Sequence, residues 1–283
     1  MAVLLSYLFY FVAASASPLQ RRWLAVKKPI DSRSQVRFTF QVTSIVSLLS
    51  LLLPIFNPFR LQGNAWNIVG LSLLSGIFGG AVYLSTYVAQ KHVEAGVSSL
   101  LTNIYTPITI VLASIFLKEG LTTMQVLGTM LLLVGVVIVS KKHQTGRFTY
   151  DKYFWLMILS GTMLSVALIA ERALIKTTGF SAGSILSWGS QWAMLGVATL
   201  FIKPSATYTI KDIGITGVLR YLQTVSWVTV SFVVGNLSIV SAITTFKVVV
   251  VFAAAALLLK ERQDLTRKLL GSVIAVGGLL LMR

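Results

Sequence analysis

Lys247 is the side chain whose position most needs explaining. It stands between Thr244, Thr245 and Phe246 on one side and the aliphatic run from Val248 to Leu259 on the other. An ammonium at the centre of a bilayer costs at least about 2.5–3.5 kcal/mol, so it must face protein or a water-filled cavity. There it would meet the carboxylate or phosphate of an anionic or zwitterionic solute; the competing reading is a buried ion pair or a snorkelling side chain. Glu171 and Arg172 lie toward the end of another apolar run, and Glu171 is the acidic residue that falls inside such a run. A buried carboxylate could exchange protons and couple solute movement to a gradient. The preferred reading is blander: a charge cluster of Glu171, Arg172 and Lys176 at a helix end.

Tyr83, Asn103, Tyr105, Trp188, Gln191 and Trp227 are further candidate solute contacts, because each is an aromatic or amide group inside an apolar segment. Packing, or an interfacial position for the amphipathic rings, is the alternative for each of them. Pro107 removes a backbone donor and is expected to bend its helix.

Catalytic patterns are missing from the sequence. His92 and His143 are far apart, cysteine is absent, and there is neither a phosphate-cradling Gly-rich loop followed by Lys and Ser/Thr nor a nucleophile elbow. We therefore expect no enzyme activity, no cofactor and no metal site, and no ATP-driven pumping by this chain alone.

The elements that must position these groups follow from composition. Hydrophobic residues make up 55% of the chain and charged residues 11%, against about 25% charged in soluble domains, so lipid must be the solvent. The net charge of +16 lies largely between apolar runs, at Arg21-Arg22, Lys27-Lys28, Lys141-Lys142 and Arg267-Lys268. That is where a membrane protein places cytoplasmic loops, and it argues against nucleic-acid binding. Apolar stretches punctuated by Gly, Pro, Asn and charge predict spans near 3–25, 35–57, 66–90, 95–117, 121–140, 154–176, 184–202, 213–234, 238–259 and 268–282. In hydrocarbon these must be helices, since an open strand edge would leave backbone groups unsatisfied. Residues 2 to 17 followed by Ala14-Ser15-Ala16 have a signal-peptide flavour, but no positive n-region precedes them, and they read as the first span.

The chain also repeats itself. Leu117-Lys118-Glu119 closes the fourth span and Leu259-Lys260-Glu261 the ninth. Gly128 and Gly135 then follow in one copy, Gly271 and Gly278 in the other. A spacing of seven is close to two helical turns, so each pair opens a smooth strip where another helix can approach. Ser99 and Thr102 fall opposite Ser241 and Thr244; at an offset of 150, Arg22, Gln41 and Pro54 fall opposite Arg172, Gln191 and Pro204; and Tyr105 is the counterpart of Lys247. The expected fold is an all-α membrane protein of ten transmembrane helices, arranged as two inverted five-helix repeats at 1–145 and 146–283. In that architecture a solute site lies at the repeat interface near the midplane.

The block from Val97-Ser98-Ser99 through Pro107 and Leu117-Lys118-Glu119 to Gly128, repeated from Ile239 through Glu261 to Gly271, resembles the ten-helix EamA-like branch of the drug/metabolite transporter superfamily. The resemblance covers essentially the whole chain. It implies a secondary transporter, most simply an exporter, of small organic metabolites such as amino acids. A membrane-embedded lipid-processing enzyme and a non-transporting receptor or assembly subunit are the alternatives. Expected partners are a small-molecule substrate and the lipid bilayer, with a homodimer left open and nucleic acid excluded. Lys and Arg concentrate on the odd-numbered connections and their flanks, Arg21 and Arg220 counted among them. The termini and even-numbered connections hold Arg60, Lys118, Arg172, Lys176 and Arg283. The positive-inside rule then puts both termini outside a plasma (inner) membrane.

Overall fold

The computed structural model describes residues 2–117, 122–140, 151–204, 206–234, 240, 247–260 and 264–281. Among them there are helices and connections and no strand. The helices are α1 (Ala2–Lys27), α2 (Ser32–Ser50), α3 (Ala65–Ala89), α4 (Ala95–Thr102), α5 (Tyr105–Leu117), α6 (Thr123–Ser140), α7 (Lys152–Thr178), α8 (Phe180–Leu200), α9 (Ile210–Val234), α10 (Lys247–Ala254) and α11 (Leu265–Leu281), with a 3₁₀ turn at Leu53–Ile55 and a π turn at Ala255–Leu259. Lys118, Glu119, Lys141, Lys142, His143, Ile239, Ser241, Thr244, Thr245, Phe246 and Glu261, used above to read the repeat and the connections, lie outside the described residues.

Local chemistry sets the helix ends. Asp31, Asn64 and Asp151 are N-caps whose side-chain oxygens accept from Arg33 N, Trp66 N, and Tyr153 N with Phe154 N, which satisfies donors the helix leaves open. Gly179, at φ 88°, turns the chain out of α7 and straight into α8, so α8 starts at Phe180 rather than near 184. A left-handed residue at that point favours glycine.

The exterior is oily, and polar side chains are set among the apolar ones in the interior. Ser34, Thr39, Thr43, Ser75, Ser187 and Gln191 are buried, whereas Leu48, Trp66, Phe201, Ile210 and Leu257 are exposed. Buried hydroxyls answer their own helices: Thr39 donates to Gln35 O at 2.7 Å, Ser85 to Ala81 O at 2.6 Å and Thr102 to Ser98 O at 2.8 Å, which leaves them no unmet demand in an apolar medium. The stretches Ser32–Ile55, Ala65–Ala89, Lys152–Thr178 and Ile210–Val234 are long and apolar enough to cross a membrane.

The fourth span is not one bent helix but two helices. Pro107 has no N–H to offer Asn103 O; Thr106 N bonds it instead at 3.0 Å, and the chain breaks between α4 and α5. Asn103 is the C-cap of α4, its N–H shared among Ser99, Leu100 and Leu101 carbonyls.

Helices from the two halves of the chain interleave. α3 packs on α7 and α8, α9 on α1 and α2, and α2 on α8, α4 on α10 and α6 on α11. The α6–α11 contact is made by the two glycine strips: a Cβ on Gly271 would lie 2.9 Å from Gly135 O, and one on Gly278 would lie 2.7 Å from Leu132 N, beside Gly128 O. Since 135 meets 271 while 128 meets 278, the two helices run antiparallel. At the end of the bundle that carries the α1–α2, α3–α4 and α8–α9 connections, two ion pairs tie one half to the other: Lys28 Nζ to Asp212 Oδ2 at 2.6 Å and Lys268 Nζ to Glu94 Oε2 at 2.5 Å.

Candidate functional site

Two chambers succeed one another along α1, α3, α7 and α9. The first, about 110 Å³, reaches from Tyr10, Gly79 and Glu171 to Trp188 and Trp227; the second, about 90 Å³, continues past Arg21, Thr86, Gln90 and Ser99. Val82, Tyr83, Leu164, Arg220, Gln223 and Lys247 line both of them. This shared wall stands roughly midway along the helices, at the level where the two interleaved halves meet.

The sequence-based candidates divide cleanly. Lys247, Tyr105, Tyr83, Trp188, Gln191 and Trp227 all line the first chamber. Lys247 Nζ donates to Tyr10 Oη at 3.1 Å and lies 5.8 Å from the centre of that ring. Its lysine is thus neither snorkelling nor ion-paired among the described residues. Gln191 Nε2 donates to Ser75 Oγ at 3.1 Å and Ser187 Oγ at 3.2 Å, and those hydroxyls meet at 2.7 Å. This ties α8 to α3 at Gly79, where any Cβ would strike the Gln191 side chain. Tyr105 and Trp227 pack edge to face, with centroids 6.4 Å apart.

Asn103 departs from expectation. It is 1% exposed and lines neither chamber; as the cap residue at the helix break it is carried away from the cavity. The helix-end cluster of Glu171, Arg172 and Lys176 is not formed either. Glu171 is buried in the chamber wall and accepts from Trp188 Nε1 at 2.6 Å. Arg172 borders, together with Glu171, a smaller crevice of about 20 Å³ and donates to Ser231 O at 3.4 Å.

The sequence reading missed Arg220 and Arg21 by counting them as cytoplasmic flanks. Arg220 sits inside α9, its Nε donating to Tyr83 Oη at 3.1 Å, its Nη1 to Gln223 Oε1 at 3.0 Å, and its guanidinium 4.4 Å from the Tyr83 ring centre. Arg21 is buried in α1, with its guanidinium 4.8 Å from the centre of the Tyr87 ring and Nε donating to Ser17 O at 3.4 Å. A signal was present: each lies within a span drawn from the sequence, 3–25 and 213–234, where a cation demands an interior explanation.

A polar, cation-lined cavity enclosed by apolar helices with oily outer faces defines an integral membrane protein with an internal polar chamber. Residues 1–141 match the EamA-like transporter family, and the chain belongs to that family. A curated protein of Streptantibioticus cattleyicolor, "Probable terminal-alkyne amino-acid exporter", is 24% identical over 170 residues, covering 58% of this chain; the chain spans 57% of that relative's length. One solved structure, "Crystal structure of protein", superposes over 99% of this chain and 94% of its own with a TM-score of 0.66 at 13% identity. At that identity the likeness concerns the fold alone, and it extends through the second half.

Proposed function

We propose that the protein is a secondary transporter, working as an exporter, that moves small organic metabolites such as amino acids by alternating access around the two chambers. The carrying observation is the shared wall of Tyr83, Arg220, Gln223 and Lys247, drawn from both halves of the chain and set midway along the helices. A non-transporting subunit would have no use for such a cavity.

The same reading takes the helices as ten spans in two inverted repeats. Its support is reciprocity of packing: exchanging the halves turns α3 on α7 into α9 on α1, turns α3 on α8 into α9 on α2, and returns α2 on α8 and α6 on α11 to themselves. The antiparallel run of α6 and α11 is what an odd number of spans per repeat requires. We place the chain in a plasma (inner) membrane with both termini outside. Moving Arg21 and Arg220 from the connections to the interior leaves the basic excess on the odd-numbered side. Glu171, facing the solute space, is the group through which proton coupling would act.

Alternating access makes a concrete expectation. The protein has no cysteine, so Ser99→Cys in the second chamber and Thr224→Cys in the first are labelled without background. Asp212→Asn, which removes one of the two cross-half ion pairs, should raise labelling of the Ser99→Cys reporter about 2- to 5-fold and lower that of Thr224→Cys, as expected from removing roughly 0.5–1 kcal/mol of a part-exposed pair. Labelling that rises at both reporters together would mean loosening rather than exchange of access, and would sink the mechanism.

A further inference from the structure

We infer that the substrate carries a compact, doubly negative head, a pair of carboxylates or a phosphoryl group, which seats against Arg21, Arg220 and Lys247 with its remainder directed toward the aromatic first chamber. The inference rests on the transport reading above and adds the charge and orientation of the solute.

Charge bookkeeping inside the bundle carries it. The chain has eight acidic residues. Asp31 and Asp151 cap helices, Asp212 and Glu94 hold Lys28 and Lys268, and Asp264 pairs with Arg267. Glu119 and Glu261 lie outside the described residues. Among the described residues Glu171 alone remains for the cavity, and its first partner is Trp188 at 2.6 Å.

Against it stand three cations, Arg21, Arg220 and Lys247, all lining the second chamber. Their partners are neutral: Ser17 O and the Tyr87 ring for Arg21, Tyr83 and Gln223 for Arg220, and Tyr10 for Lys247. None of the three has a carboxylate within ion-pair distance among the described residues. Among the described residues, three positive charges and one negative leave an excess of two. Such an excess is costly to hold out of bulk water unless an anion completes it.

The two chambers differ in a way that orients the solute. The second contains all three cations and no carboxylate. The first shares Arg220 and Lys247 but lacks Arg21, and adds Glu171 together with Tyr10, Tyr105, Trp188 and Trp227. A negative head is therefore favoured in the second chamber, and a less charged or amine-bearing tail in the first. Arginines offer planar donor pairs suited to carboxylate or phosphoryl oxygens, and Arg220 still has an Nη2 with no partner in the contacts given above.

The test is a thermal-shift titration of the detergent-purified protein at constant ionic strength with succinate, glycerol 3-phosphate, leucine, choline and sulfate. Succinate or glycerol 3-phosphate, or both, should raise the melting temperature by roughly 5 °C at saturation; which of them acts separates carboxylate from phosphoryl recognition. Leucine and choline should not do so, and sulfate, a dianion with no remainder to reach the first chamber, should give a smaller shift. Arg21→Met should weaken the response at least tenfold, while Arg21→Lys should keep it within threefold and thereby show that charge rather than fold is at stake. Stabilisation by leucine or choline without either dianion overturns the charge assignment and leaves the transporter reading standing. An equal shift from sulfate, a dianion with no remainder, overturns the orientation toward the first chamber, and a dianion response unaffected in a folded Arg21→Met protein overturns the charge assignment. Absence of any dianion shift overturns it as well.

Discussion

Arg220→Leu is expected to lower solute flux by roughly 10- to 150-fold without lowering the melting temperature. The functional loss follows from removing a charged hydrogen-bond donor from a largely desolvated site, which costs about 1.5–3 kcal/mol of solute binding. The stability effect has the opposite sign. A buried cation with neutral partners pays a desolvation penalty that a leucine of similar volume does not, and Tyr83 and Gln223, released from Arg220, still face the chambers. Lys247→Ala should behave alike, since its ammonium is held by Tyr10 rather than by an acid. Uptake into vesicles reconstituted at equal protein levels is the measurement. Unchanged flux would remove either residue from the mechanism, and a fall in flux that tracks a fall in melting temperature would reassign Arg220 to the scaffold.

These cations also mark how far the sequence could be read. Lys247 was legible because it interrupts an aliphatic run with no boundary nearby. Arg220 and Arg21 were not, because a hydropathy reading uses cations as punctuation and so pushes them outward to the nearest connection. The structure keeps them in by giving each an aromatic face, Tyr83 and Tyr87, a neutral device that leaves no acidic signature in the sequence. Trp188, Gln191, Tyr83, Tyr105 and Trp227 were found because polar groups within spans turn inward when lipid lies outside. Asn103 obeyed the same rule, since it is buried, yet missed the cavity: the missing N–H of Pro107 ended α4 at that residue and changed which way it points. Glu171 and Arg172 pair by adjacency in the sequence, whereas in the structure Glu171 also reaches the first chamber, where it accepts from Trp188, and Arg172 does not. Periodic features were read most securely. The glycines at 128, 135, 271 and 278 required only the helical repeat to be placed on a common strip.

That strip supports a paired expectation on two consecutive residues. At Gly278 an added Cβ would lie 2.7 Å from Leu132 N and 2.8 Å from Leu131 Cβ, whereas at Gly277 it would meet nothing within 4 Å. The neighbours of Gly278 include helix backbone, which cannot rotate aside, so Gly278→Leu must push α11 away from α6 and forfeit the close approach along the contact; overpacking of this kind costs about 1–3 kcal/mol. Gly277→Leu points into open space and replaces the residue most unfavourable to a helix after proline, so it should be neutral or stabilising by up to about 1 kcal/mol. Melting curves of the two variants in the same detergent should therefore diverge in sign or nearly so. Equal losses at 277 and 278 would mean that glycine serves this helix through flexibility, and that the antiparallel seam between the halves is not held by backbone contact.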